Sequence, residues 1–507
     1  MTDRMPFRQA LPWVAAVFLL KLAVQIAFAD GYGWFRDEFY YLACADRLSW
    51  SYVDHPPLSV VLLKAWRALV GDELVALRIL PALVGAAGVG LTAALAWWFG
   101  ARRLGIVTAG LVALTTPVYL AVHHIVSMNA FETLVWGAAG WLFLDALHTR
   151  RRSRWIGLGC VLALGLLNKI SVLWLGTGLA LAILVTPHRA TLRTAGPWIA
   201  AGIAMLGLIP NVVWNLAHDL ATLEFMVNAV GSKMVDVSPL EFLSGQARTL
   251  GPSAPWAVLG LVALAIRPRT RPLAIVYAVV LAILITSGAA RSGYLAPAYV
   301  WAFAAAGAFL DDVWSRWPRV VPALVLASVM VLGALAAPFA VPVLPVDEYM
   351  DYARGAGIEP STSERKELAE LPQWFADMHG WDDMVDAVAD AVDRLPPGDR
   401  ARAGILTMNY GQAGALQRLG RDRDLPPVMS NHNHYWIWGP APGWDGEVAL
   451  VLGSSRSFLE RHYRSVVEWG RVRCERCMPY ENDNPIWLAR SLRRPLAETW
   501  EAIGHYD

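Results

Sequence analysis

The sequence predicts a polytopic α-helical membrane protein with a soluble α/β domain after its last span. Three observations predict it. Hydrophobic residues fill 56% of the 507 positions and charged residues only 17%, against roughly 25% charged in soluble chains. Mean hydropathy is +0.39. Apolar runs near the ~20 residues that a membrane span needs recur as far as residue 340, and ordinary soluble composition follows. A net charge of +1 provides no basic face for nucleic acid. Four cysteines in a chain of this length exclude a disulfide-dense scaffold.

The runs lie near 11–29, 76–99, 105–122, 129–147, 156–168, 170–186, 196–216, 252–266, 273–288, 296–310 and 320–340, which predicts eleven spans. The fifth and sixth are short and meet at Leu167-Asn168-Lys169. Arg4 and Arg8 precede the first run, and Ala27-Phe28-Ala29 resembles a signal-peptidase site. The run is longer than the roughly 7–15 residues of a signal-peptide core, so an uncleaved anchor is expected.

Basic residues set the orientation. Arg102-Arg103, Arg150-Arg151-Arg152 with Arg154, Arg189 and Arg193, Arg267, Arg269 and Arg271, and Arg316 and Arg319 all fall in loops on the side of the N-terminus. That side is expected to be cytoplasmic. With eleven spans the C-terminus is then extracytoplasmic. Residues 1–340 form the expected membrane domain, and 341–507 the extracytoplasmic α/β domain. The first outer loop covers 30–75, and a second outer segment covers 217–250. Helical patterning runs through 363–394, and strand-like runs stand at Gly404–Met408 and Val448–Leu452.

The densest chemistry lies in that first loop. Asp30-Gly31-Tyr32-Gly33-Trp34-Phe35-Arg36-Asp37-Glu38-Phe39-Tyr40-Tyr41 leads on to Tyr52-Val53-Asp54-His55-Pro56-Pro57-Leu58. Adjacent carboxylates on a helix point about 100° apart. One of Asp37 and Glu38 therefore faces a cavity while the other binds the scaffold, through Arg36 or Arg47. The alternative is an ordinary helix start with favourable acids.

This pattern resembles the family 39 glycosyltransferases, which include the protein O-mannosyltransferases and the aminoarabinose transferase of lipid A. Further matches follow in order. They are Ser127-Met128-Asn129-Ala130-Phe131-Glu132, Gly165-Leu166-Leu167-Asn168-Lys169, Pro210-Asn211-Val212-Val213-Trp214-Asn215, Thr222-Leu223-Glu224-Phe225 and Tyr294-Leu295-Ala296-Pro297-Ala298-Tyr299. The tail resembles bacterial members of uncertain substrate through Tyr410-Gly411-Gln412-Ala413-Gly414, Asn433-His434-Tyr435-Trp436-Ile437-Trp438-Gly439 and Pro479-Tyr480-Glu481-Asn482.

The resemblance implies a GT-C fold in a bacterial plasma membrane. It also implies sugar transfer with inversion from a polyprenyl-phosphate donor to a hydroxyl of a glycan, lipid or protein, at the outer face. In that reading Asp37 is the base and Glu38 orients or shapes the site. Lys169 holds the donor phosphate, with Arg291 and His55 as further candidates. Asn129, Glu132, Glu224 and Tyr294 are candidates for substrate binding. Relatives such as the aminoarabinose transferase carry Asp where this chain has Asn129; Glu132 lies one turn on. No Asp-x-Asp stands in the first loop, so no metal cofactor is expected. Without the resemblance, Lys169 is equally a snorkelling lysine, Glu224 a helix cap, and His123 and His124 interfacial structural residues.

In the tail, Cys474-Glu475-Arg476-Cys477 reads as a disulfide in an oxidising compartment, as a redox pair, or as half of a zinc site completed by His432 and His434. Cys44 and Cys160 are expected to be buried or unpaired. Trp436 and its aromatic and amide neighbours suit either a stacked sugar or lipid head-groups. Two functions compete with the transferase. A flippase or transporter of lipid-linked sugars normally shows repeat symmetry and broken helices at mid-membrane, neither of which the sequence displays. A glycan-binding scaffold explains the tail but not Lys169 or Asp37-Glu38.

Overall fold

The computed structural model describes residues 5–314 and 316–507; Arg4 lies outside them. The chain divides into two compact units. The membrane unit takes the chain up to Gly31, His55–Trp214 and Asp236–Pro345, and the sheet unit takes Tyr32–Asp54, Asn215–Val235 and Val346–Asp507. The first-loop acids and part of the second predicted outer segment thus group with the residues beyond 346, not with the spans.

Each of the eleven apolar runs carries a helix. Among the described residues, seven are long and apolar enough to cross a membrane: Phe7–Ala27, Leu74–Trp98, Asn129–Thr149, Ala195–Ala217, Pro239–Ile266, Ser292–Trp314 and Val320–Phe339. They become eight if Val172–Leu184 and Pro187–Arg193, bent by 105°, form one span. By this measure the predicted eleven is corrected to seven or eight. Length is the reason. Arg103–Thr115, Arg152–Asn168 and Arg271–Thr286 have 13, 17 and 16 residues. Each rises only about 20–26 Å against a hydrocarbon core of about 30 Å. The run at 105–122 breaks before Pro117, where a separate helix Pro117–Val122 begins, because a proline ring clashes with a continuing turn.

The membrane unit packs through small residues, as helices in lipid do. A Cβ at Gly105 would run into the Gly307 carbonyl, and one at Gly307 into the Gly105 carbonyl, so the helices Arg103–Thr115 and Tyr299–Trp314 pack at backbone distance. Trp136 and Trp301 are fully buried. Their rings stack at 6.0 Å, and the Trp301 indole donates to the Trp136 carbonyl. Several buried polar groups here are matched, as the cost of several kcal/mol for an unmatched one in lipid favours. Lys21 donates to the Tyr119 carbonyl at 3.0 Å and Gln25 to the Leu120 carbonyl at 3.0 Å. Asp311 accepts from the Arg102 and Gly105 backbone N–H groups and caps that helix start. His123 and His124 are buried within the unit; they meet the Thr133 hydroxyl at 3.1 Å and Arg78 at 3.3 Å.

The sheet unit holds a five-stranded sheet in the order β2-β1-β3-β5-β4. Its strands are β1 (Ala403–Thr407), β2 (Val428–Ser430), β3 (Val448–Leu452), β4 (Tyr463–Val472) and β5 (Asn484–Leu492). β1 pairs parallel with β2 and β3, and β5 pairs antiparallel with β3 and β4. The two strands read from sequence, β1 and β3, are central and buried at every residue, which is why they show as continuous apolar runs. β4 is half-exposed and carries a weaker signal. The predicted helical stretch 363–394 is helical only at Gln373–Ala376 and Trp381–Asp393. Pro372 and Gly380, the latter at φ +84°, punctuate it.

Candidate active site

Two clusters carry chemistry, one in each unit. In the sheet unit the first loop forms the helix Arg36–Asp46. It packs on the helix Tyr410–Leu419, whose glycines explain the Tyr410-Gly411-Gln412-Ala413-Gly414 motif. A Cβ on Gly411 would lie 2.5 Å from Arg36 Cγ, and one on Gly414 2.7 Å from Phe39 Cβ. Residues three apart share a helix face, so both glycines open the face on which the loop helix lies.

Glu38 is buried, and one carboxylate oxygen accepts the Phe35 backbone N–H at 3.0 Å. It is the acid that binds the scaffold, satisfying an otherwise orphaned donor at the helix start. Asp37 remains 35% exposed. Its Oδ1 accepts the Tyr410 hydroxyl at 2.9 Å and faces Arg36 Nε at 3.4 Å. Arg36, with a side chain only 11% exposed, also lies 3.5 Å from Asp377 and 3.9 Å from Glu364, and donates to the Tyr480 hydroxyl at 3.1 Å. Gln373 ties Glu364 and Asp377 together at 3.0 and 3.3 Å. Burial works against the Arg36 charge, but Asp377 and, more weakly, Asp37 outweigh it and keep the guanidinium protonated. Burial, against the pull of Arg36 and with the help of Asp37 and Glu364, pushes Asp377 up to about 6.

Behind this ring, Glu481 accepts from Gln412 at 2.7 Å and Asn409 at 2.9 Å, so two of the tail motifs meet there. Burial raises its carboxyl. Tyr40 stacks on Tyr410 at 4.5 Å and donates to Asp54 at 3.1 Å.

In the membrane unit, Lys169 follows the helix Arg152–Asn168. Its ammonium lies 2.7 Å from Asn129 Oδ1 and 2.6 Å from Glu132 Oε2. Ser171 donates to the other Glu132 oxygen at 2.5 Å. The Tyr294 ring stands 5.1 Å from the ammonium. Four residues singled out in separate motifs are thus brought together. An ammonium has three donors, and two are taken up by Asn129 and Glu132. Arg291 opens the turn Ser292–Ala298 that carries Tyr294. His55 is buried with Nδ1 3.1 Å from the Pro56 carbonyl. The helices on either side of Lys169 in the chain line an apolar cavity of about 520 Å³, among Leu158, Leu162, Leu166, Val172, Leu173 and Met205.

Other candidates are placed differently. Glu224 is exposed in the first turn of the helix Ala221–Asn228. Trp436 donates its indole N–H to the Trp500 carbonyl at 2.8 Å, and Trp500 returns the bond at 3.0 Å, so its ring is a packing element. Cys474 and Cys477 are joined as a disulfide, which removes them from a zinc site. Cys44 is buried and Cys160 exposed, both unpaired. His432, His505 and Asp507 are close enough for a metal, but the two rings stack nearly parallel at 8° and 4.7 Å, so their lone pairs do not converge. His432 Nδ1 faces the Tyr410 N–H and Nε2 faces Asp507 at 2.8 Å, the arrangement of a hydrogen-bonded pair. That bond, with the His432 charge, holds the Asp507 carboxyl well below its usual range.

Sequence reasoning missed the ring around Arg36. Tyr410 and Tyr480 lay within quoted motifs, but nothing local to Glu364 or Asp377 marks them as partners of a residue more than 300 positions away.

Residues 54–214 match the family model described as dolichyl-phosphate-mannose-protein mannosyltransferase. The lipid A galacturonosyltransferase RgtD of Rhizobium johnstonii is 28% identical over 272 residues, 50% of this chain and 54% of that protein. The chain therefore spans about half the length of this curated relative. The crystal structure of ArnT from Cupriavidus metallidurans in the apo state matches with a TM-score of 0.62 at 15% identity, covering 94% of this chain and 98% of that one. The same protein bound to undecaprenyl phosphate matches at 0.59 and 14%, covering 94% and 97%. The chain thus has the GT-C membrane fold, and the resemblance to the family 39 glycosyltransferases read from its ordered motifs is borne out.

Proposed function

We propose that the chain is an inverting glycosyltransferase that moves a sugar from a polyprenyl-phosphate donor to an acceptor hydroxyl at the outer face of a bacterial plasma membrane. The observation that carries this reading is Lys169, a cation held by Asn129 and Glu132 between two helices, Arg152–Asn168 and Val172–Leu184, that both line an apolar cavity. A phosphate on a long hydrocarbon tail needs that pairing of charge and grease. The printed titles of the relatives agree: one binds undecaprenyl phosphate and another transfers galacturonosyl groups to lipid A.

The chemistry follows from a polyprenyl-phosphate donor. The acceptor oxygen attacks the anomeric carbon, the bond from that carbon to the phosphate oxygen breaks, and polyprenyl phosphate leaves. The acceptor proton passes to Asp37, whose carboxylate is partly exposed and oriented by Tyr410. The third Lys169 donor, with Arg291 and His55, meets the leaving charge. Glu38 holds the helix start beneath Asp37. The basic loops support an N-terminus in the cytoplasm.

The test is a mass-spectrometric profile of polyprenyl-phosphate sugars in cells lacking the protein, rescued with it, or carrying Asp37→Asn. One such lipid accumulating in the null and the mutant but not in the rescued cells supports the reading and identifies the sugar. No change in any such lipid rejects it.

A further inference from the structure

Asp37 is not left to itself. The carboxylate ring around Arg36 has no role in the reaction just described, yet it is the most highly charged buried feature of the sheet unit. One guanidinium cannot neutralise three carboxylates. Asp377 at 3.5 Å and Glu364 at 3.9 Å, both nearly inaccessible, compete with Asp37 at 3.4 Å for the same cation. The Arg36 backbone N–H also donates to the Asp377 carbonyl at 3.0 Å, so the two segments are locked in register. Glu364 and Asp377 are themselves fixed by Gln373 and Tyr480.

An aspartate paired with an arginine alone is a poor base, because the cation stabilises the charged form and lowers its pKa by roughly 1–3 units. Sharing the cation among three carboxylates weakens its hold on each of them. The hydrogen bond that Tyr410 gives to Asp37 Oδ1, the oxygen that Arg36 Nε also faces at 3.4 Å, fixes the plane of the group and leaves Oδ2 as the oxygen that accepts a proton. The groups that face Asp37 are thus Arg36 on its own helix, Tyr410 on the helix packed against it, Asp377, Glu364 and Tyr480 around Arg36, and Lys233, whose charge is felt by Asp37 and Glu364 together.

We propose that Asp377 and Tyr410 are positioning residues for Asp37: Asp377, with Glu364, withholds the Arg36 charge from Asp37, and Tyr410 selects the oxygen that takes the proton. The proposal rests on the reading of Asp37 as the base, but its test does not.

The measurement is the titration of Asp37 in the full-length protein in detergent. A water-soluble carbodiimide with glycine ethyl ester labels protonated carboxyls, and peptide mass spectrometry follows labelling at position 37 against pH, with Asp37→Asn as the blank. Asp377→Asn should move the Asp37 midpoint down by about one unit and Tyr410→Phe should move it up by a similar amount. Asp377→Glu should restore the native midpoint. Only monodisperse protein with the native unfolding temperature is scored, and Glu364→Gln, expected to act in the direction of Asp377→Asn, is the second variant if Asp377→Asn does not fold. Midpoints unchanged in folded Tyr410→Phe and in the folded charge variant overturn the proposal. In parallel, transfer from polyprenyl-phosphate sugars extracted from cells lacking the protein is assayed across pH. Shifted midpoints without any transfer in the native chain would keep the positioning and reject the transferase reading. Transfer with unshifted midpoints would do the reverse.

Discussion

Tyr410 gives its hydroxyl hydrogen to Asp37 at 2.9 Å across 373 positions of chain. The candidate base and the group that orients it are thus supplied by the first loop and by the last domain. Each consequence below follows from a contact of this kind.

Asp37→Asn should abolish transfer while leaving the fold intact. A lost general base costs about 10²–10⁴-fold, and Asn keeps the size and the acceptor oxygen that Tyr410 binds. The check is the transfer rate in purified membranes beside the unfolding temperature. A rate within threefold of native removes Asp37 from the chemistry.

Lys169 and Glu132 are a nearly buried pair, 2.6 Å apart. Lys169→Met leaves Glu132 uncompensated and should cost about 3–5 kcal/mol. Lys169→Met combined with Glu132→Gln should recover most of that stability. It should not recover use of the donor, whose KM should stay raised by about tenfold or more, because a charge-assisted contact to phosphate is gone. Thermal unfolding and donor titration of the double variant separate the two effects. Native donor KM in that variant would relieve Lys169 of its phosphate role.

Gly411→Ala should destabilise the sheet unit by about 1–3 kcal/mol. Its Cβ would stand 2.5 Å from Arg36 Cγ, so the loop helix must move and Asp37 with it. Unfolding in denaturant gives the cost. An alanine variant as stable and as active as the native chain would show that the two helices have slack.

The disulfide Cys474–Cys477 closes a short loop. Chain entropy predicts about 2 kcal/mol for a ring this small. Paired Cys→Ser substitution should lower the unfolding temperature modestly, with transfer unchanged below it. Loss of transfer at temperatures where the variant is folded would point to a redox role.

Acid should loosen the sheet unit through its histidines. Burial pushes His379 and His505 down to about 4, so the unfolded chain binds protons that the native one refuses between about 6.5 and 4. Stability from these groups is complete above that window and is lost as pH falls through it. Asp377, raised to about 6, runs the other way and offsets part of the loss. The unfolding temperature of His379→Gln should therefore vary less between pH 7 and 4 than that of the native chain; an equal slope would exclude His379 as a contributor.

How far the sequence reached depended on distance along the chain. Each apolar run carries a helix because hydropathy is local, but Pro117 leaves Arg103–Thr115 short, and the span Pro239–Ile266 starts within residues read as an outer segment. That Asp37 and Glu38 meet different surroundings was legible from their adjacency, since two neighbours on a helix cannot face the same way, but the expected arginine was misassigned: Glu38 binds the scaffold through the Phe35 N–H, and Arg36 faces Asp37. Lys169, Asn129, Glu132 and Tyr294 were each visible as a polar residue out of place, and the structure brings them to one point. Trp436 was misleading, because an aromatic that locks onto Trp500 looks the same in sequence as one that stacks on a sugar. The Arg36 ring was invisible, because Glu364 and Asp377 sit in ordinary soluble composition and only the folded chain brings them to Arg36.

The docking of the loop helix on Gly411 and Gly414 also sets a clock. At roughly 5–20 residues per second, the ribosome needs about 20–75 s to pass from residue 37 to residue 410. During that interval the acids of the first loop exist without the hydroxyl and the glycine face that place them. A nascent or prematurely released chain can settle its spans and still carry an unassembled candidate site. Competence arrives late in synthesis, when the final domain has folded around the segment made first.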